Sequence, residues 1–154
     1  MVAWTLPGGR ERANALHSPI DALVLNVDLV VRACTDLISV VEEYFAAGGE
    51  RATRWRDRFV DQVDELRVIG TDESEWLSGA AAFAVFADPS AHVDSKPTVV
   101  LDDLEAYAHG DVGWVACRPL LTLPDGTTLT LRWTGVFVRT PEAWRLRQLH
   151  VSTG

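Results

Sequence analysis

The chain is expected to fold as an α+β domain, with N-terminal helices packed on a curved antiparallel sheet. Three observations predict this. The first half carries apolar residues at helical spacing, backed by polar faces. The last third switches to strand-like runs joined by short turn signals. At 154 residues, 47% apolar and 23% charged, the chain suffices for one domain with a real core and is too short for two ordinary ones.

Residues 1–17 read as a flexible N-terminal arm, and 18–154 as a single domain. Ser18 can cap a helix and Pro19 suits its first position. Apolar residues then recur at Ile20, Leu23, Val24, Val27, Val30, Val31, Cys34, Leu37, Ile38, Val41 and Phe45, before Gly48-Gly49. One long helix, or two broken near Thr35-Asp36, satisfies that pattern, so 18–36 is an extra or extended helix. The β-branched stretch Val24 to Val31 also allows a short strand. A second helix is expected from Glu50 to about Val63, with Trp55 and Phe59 on its apolar stripe. A strand over 66–69, a polar loop over 70–75 and an alanine-rich helix from Gly79 to Ala87 follow. Four strands complete the fold: Thr98–Tyr107, Val112–Leu123, Thr127–Arg139 and Ala143–Ser152. Their turns, His109-Gly110-Asp111, Pro124-Asp125-Gly126 and Thr140-Pro141-Glu142, are short enough to make a meander.

The net charge is −8, from 14 basic and 22 acidic residues. Such a surface repels nucleic acid and anionic membranes, so neither is an expected partner. Lys96 is the single lysine among the basic residues, a bias of codon usage more than of mechanism. The most apolar stretch, Ala22 to Cys34, is broken by Asn26, Asp28 and Arg32 and is no membrane span. The N-terminus lacks a basic start followed by an apolar run, so no secretory signal is expected. Cys34 and Cys117 have no CxxC partner and read as free buried thiols, which predicts a reducing cytoplasm.

Three stretches carry a family likeness: RVIGTDESEWLSG (Arg67 to Gly79), HGDVGWVAC (His109 to Cys117) and GVFVRTPEAWRLRQLHVS (Gly135 to Ser152). In order and spacing they resemble the SnoaL-like branch of the nuclear transport factor 2 superfamily, over roughly Leu37 to Ser152. The resemblance implies a cone: a curved sheet wrapped around helices, enclosing an apolar pocket. It also implies a homodimer packed through the sheet face. That family hosts ketosteroid isomerases, polyketide cyclases, epoxide hydrolases, dehydratases and pure association modules, so fold does not choose function. Two departures stand out. Residues 1–36 lie outside the usual core, and position 113 is glycine where the family usually has alanine. The isomerase acid set does not carry over, since Tyr44 lies near the end of the first helix and not at its middle.

Strict alternation on the last strand places Trp144, Leu146, Gln148, His150 and Ser152 on one face, as a pocket wall. His150 is then the candidate acid–base residue, because imidazole titrates near neutral pH. Arg132 is the second catalytic candidate, able to orient a carbonyl or anion through its planar fork. Gln148 is a polar guide. Trp55, Phe59, Trp76, Tyr107, Trp114 and Trp133 are the expected ligand-binding aromatics. Asp103, Glu105 and Tyr107 on one strand face offer a weaker acid set. The four histidines lack metal-ligand spacing, and no phosphate loop or nucleophile elbow is present, so no metal or cofactor is expected. Two functions compete. One is binding of a small apolar ligand in the cone, with isomerase- or cyclase-like proton transfer. The other is a non-catalytic dimerisation or association module.

Overall fold

The structure, a computed structural model, describes residues 31–47, 50–61, 64–86 and 98–153. The arm over 1–17 and most of the first expected helix lie outside the described residues. Where the pattern is described it is helical from Thr35 onward, close to the break offered near Thr35-Asp36, and differs just before that. Arg32 and Ala33 form a strand, β1 (Arg32–Ala33), paired with Ala108 and Tyr107. The Cys34 amide then donates to the Ala106 carbonyl at 2.9 Å, and α1 (Thr35–Ala46) begins. Pairing to a sheet edge is non-local, and it overrides the helical spacing at these two residues.

Helix α1 buries Leu37, Val40 and Val41. α2 (Glu50–Phe59) follows, and its Trp55 indole N–H donates to the Val40 carbonyl at 3.0 Å. That bond ties the two helices together through a buried donor that would otherwise be costly. β2 (Arg67–Ile69), β3 (Trp76–Ser78) and α3 (Gly79–Val85) come next. Then come the long strands β4 (Thr98–His109), β5 (Val112–Thr122), β6 (Thr128–Arg139) and β7 (Trp144–Thr153). Their turns use Gly110 and Gly126 at φ of 58° and 84°, conformations that only glycine adopts cheaply.

The expected meander β4-β5-β6-β7 is present inside a seven-stranded sheet of order β1-β4-β5-β6-β7-β2-β3. β2 joins β7 in parallel, and the other strand pairs are antiparallel. The helices lie against one face of this sheet. There they bury Ala106, Val115, Cys117, Trp133, Phe137, Trp144, Leu146 and Leu149 together with Trp55, Phe59 and Leu66. Gly113 belongs to this face. A Cβ built on it would stand 2.3 Å from Leu37 Cδ1 and 3.2 Å from the Trp144 ring. The glycine at this position is therefore matched to the leucine of α1 that presses on it.

Candidate functional site

Two bulges decide which side chains face the helices. On β7, Gln148 pairs with Val136 but Leu146 pairs with Phe137, so Arg147 is an extra residue. On β4, Asp102 pairs with Arg118 and Glu105 with Ala116, with Asp103 at φ 49° inside the irregularity. One inserted residue inverts the facing of everything beyond it. The single wall expected from Trp144 to Ser152 is thereby split. Trp144 and Leu146 face the helices, whereas Gln148, His150 and Ser152 face outward beside Val136, Thr134 and Arg132.

The nine expected site residues accordingly separate. Trp55, Phe59 and Trp133 are buried in the interior. Arg132, Gln148, His150, Trp114, Tyr107 and Trp76 lie on the outer face. Two rows run across six strands there: Trp76-Ile69-His150-Thr134-Ala116-Glu105 and Ser78-Arg67-Gln148-Val136-Trp114-Tyr107. Trp76 is 65% exposed, with the Arg67 guanidinium 5.8 Å from its ring centre. The Tyr107 and Trp114 rings stack at 6.2 Å. Val100, Val112 and Leu120 are exposed on the same face. Arg132 donates to the Thr153 carbonyl, which anchors its guanidinium to β7. Asp103 pairs at 2.9 Å with Arg118 across the same surface, so it is an exposed partner of an arginine and no pocket base.

The interior is aromatic. Tyr44 is the hub: its ring lies 4.9 Å from Phe45, 4.7 Å from Trp55 and 5.7 Å from Trp133. Trp55 continues to Phe59 at 5.4 Å and Phe86 at 6.3 Å. Burial raises the Tyr44 pKa; the nearby Trp133 indole lowers it by less, and Cys117 raises it slightly. Burial also pushes the Cys117 thiol up to about 12. Both groups stay protonated at neutral pH. The Trp133 indole N–H is buried and makes no hydrogen bond of good geometry, yet it lies near enough to the Tyr44 hydroxyl to lower that group's pKa. Among the described residues no charged side chain is buried, so the acid–base candidates are outside this space.

Sequence reasoning placed Tyr44 outside the site. The missing signal was local: Tyr44 follows Val40 by four residues and Val41 by three, so it shares their face of α1. Cys117 could be found only through its pairing with Trp133 across β5 and β6. Among the described residues no group of three or more His, Cys, Asp or Glu could hold a metal ion. No helix of the described residues is long and apolar enough to cross a membrane.

Residues 37–154 match the family model described as a SnoaL-like domain. The chain belongs to this SnoaL-like family. Solved structures agree at the level of fold. An NTF2-like protein of unknown function from Pseudomonas putida shares 16% identity at a TM-score of 0.64, over 77% of this chain and 84% of that one. A ketosteroid isomerase candidate from Parabacteroides distasonis gives 12% and 0.62, over 77% and 85%. The S. rosetta CaMKII hub gives 21% and 0.57, over 78% and 95%. A search of curated proteins finds no match. The domain is thus an NTF2-like SnoaL domain with helices on one face of a curved, mostly antiparallel sheet.

Proposed function

We propose that this SnoaL-like domain binds a small, uncharged, largely apolar molecule inside its cone, against α1 and β6. One observation carries the reading: the Trp133 indole N–H is buried beside Tyr44 and has no acceptor. Buried donors are nearly always paired in native proteins, so an unpaired one calls for a partner, which a bound molecule would supply. The aromatic surroundings fit the apolar body of such a molecule. Binding is the supported activity. Proton transfer within the cone finds no base among the described buried residues, and His150 stands on the opposite side of the sheet. Native mass spectrometry of freshly purified protein tests the reading. Extra non-protein mass that is lost in Trp133→Phe is the expected result. A bare wild-type chain that also refuses apolar aromatic probes would overturn it.

A second reading, self-association as a homodimer through the outer sheet face, rests on a separate observation. Val100, Tyr107, Val112, Trp114 and Leu120 are exposed together on that face. Two exposed apolar clusters, Val100 with Leu120 and Tyr107 with Trp114 and Val112, flank the Asp103–Arg118 ion pair and support an interface here. The kinship in fold with a CaMKII hub supports this reading. The two readings are compatible, because they use opposite faces of one sheet. The buried free thiols Cys34 and Cys117 support a reducing, cytoplasmic setting.

A further inference from the structure

We infer that two copies of this chain pair with β5 crossing antiparallel over β5, so that Leu120 of each lies on Trp114 of the other and Arg118 of each reaches Glu105 of the other. The inference rests on the self-association reading and adds to it a register and a charge pairing.

The argument is one of self-complementarity. In a two-fold interface one patch meets itself, so each group must find its partner on its own surface turned through half a turn. Along β5 the outward side chains are Val112, Trp114, Ala116, Arg118, Leu120 and Thr122, and the residues between them from Gly113 to Pro119 are buried. β4 sets Tyr107 beside Trp114, Glu105 beside Ala116, Asp102 beside Arg118 and Val100 beside Leu120. The aromatic and the aliphatic cluster therefore lie toward opposite ends of the same two strands, with two polar rows between them. A two-fold axis across the strands, midway between those rows, exchanges the ends. It lays Val100 and Leu120 of one copy on Tyr107 and Trp114 of the other, and Thr122 on Val112. It also lays the row of Arg118 on the row of Glu105. An axis along the strands would instead keep each row on itself. Arg118 and Arg132 share a row by the register of β5 and β6, so that axis would oppose arginine to arginine, a costly juxtaposition. Packed sheets keep their strands within about 30° of one another, which an antiparallel crossing satisfies.

The charges fit the same register. Glu105 is exposed and, among the described residues, pairs with no cation. Arg118 holds Asp103 at 2.9 Å with its side chain 60% exposed. A guanidinium carries five donors in a planar fork, so it can bridge a second carboxylate. The chain as a whole carries −8, which sets two copies against each other at long range. The outer face from β4 to β2 is balanced, with Arg67, Arg118 and Arg132 against Asp102, Asp103 and Glu105. Two acidic chains can approach there without net repulsion.

Two charge reversals, each disruptive alone and complementary when mixed, test the register. Glu105→Arg sets an arginine against Arg118 of the second copy, and Arg118→Glu sets a glutamate against its Glu105. Each variant alone is expected to self-associate at least about tenfold more weakly than wild type in sedimentation velocity. Mixed, the two restore both pairings, so native mass spectrometry should show the mixed dimer well above its statistical share. A statistical mixture, or variants that pair as tightly as wild type, would overturn the register and leave self-association standing. If either variant does not fold, cross-linking decides, with changes that remove no interface aromatic. Thr122→Cys chains mixed with Val112→Cys chains should form an intermolecular disulfide faster on oxidation than Thr122→Cys chains alone. Equal or reversed rates would refute the register. A wild-type chain that stays monomeric at high concentration would overturn the self-association reading and this inference with it.

Discussion

The two faces of the same four strands have opposite characters. Toward the helices, β4 to β7 present Ala106, Val115, Cys117, Trp133, Phe137 and Leu146, all buried. Away from them the strands present Tyr107, Trp114, Thr134, Arg132, Gln148 and His150. The inner face is aromatic and aliphatic, with one unsatisfied donor. The outer face mixes exposed apolar groups with hydrogen-bonding ones. An ordinary solvated face would alternate to polar residues throughout. The departure is confined to β4 and β5, where Val100, Val112, Trp114 and Leu120 remain exposed. The difference sets a packed aromatic interior on one side of the sheet against a partly apolar, exposed surface on the other.

The comparison is most severely tested on the inner face. Phe137→Ala removes a fully buried ring and should cost about 3–5 kcal/mol of stability, read as a fall in the urea midpoint. A loss below about 1 kcal/mol would mean that the inner face is loosely packed. Next in size is Gly113→Ala, expected to cost about 1–3 kcal/mol because the new Cβ meets Leu37 and Trp144. Combining it with Leu37→Val, which withdraws the clashing Cδ1, should cost less than the sum of the two single changes. Strict additivity would show that Leu37 is not what excludes the alanine.

A third effect is read against pH. Cys117 has its pKa raised from 9.0 to about 12, and Tyr44 is raised above 10.0, both chiefly by burial. The folded state therefore holds these protons where the unfolded chain has released them. The stabilisation is complete below pH 9.0 and is lost as pH rises from there toward 12. Alkaline unfolding curves of Cys117→Ala should fall less steeply with pH than those of wild type. Parallel curves would show that the thiol is not buried in solution.

The smallest expected change in stability is on the outer face. Trp114→Ser is expected to alter the stability of the monomer by less than about 1 kcal/mol, since the ring is 37% exposed. The same change should weaken self-association at least about tenfold in sedimentation velocity, as removal of a central interface aromatic does. A wild-type chain that stays monomeric at high concentration would end the adhesive reading of this face.

Much of the fold was legible in the sequence because its signals are local. Gly110 and Gly126 sit in turns that the polar-glycine pattern announced. The four long strands begin and end within a few residues of the alternation that predicted them. The second helix and the alanine-rich helix start where Glu50 and Gly79 were expected. The site was less legible. Trp55, Phe59 and Trp133, which the sequence offered as core or ligand-binding aromatics, are buried in the interior. His150 and Gln148 were expected beside Trp144 and stand across the sheet from it.

Composition and periodicity alone therefore settled the class of fold, the order of its helices and four long strands and the aromatic stock of its core, but not the short strands β1 and β3. These depend on the spacing of neighbouring residues, which the chain displays directly. Tertiary pairing decided which face each functional side chain occupies. Whether a β-bulge falls at Arg147 or at Asp103 is set by the strand alongside, and nothing in the local pattern marks which residue will be extra. The same non-local pairing made Arg32 and Ala33 a strand by offering them an open edge of β4. It also set Cys117 beside Trp133, which brought Tyr44, the thiol and an unpartnered indole into one interior.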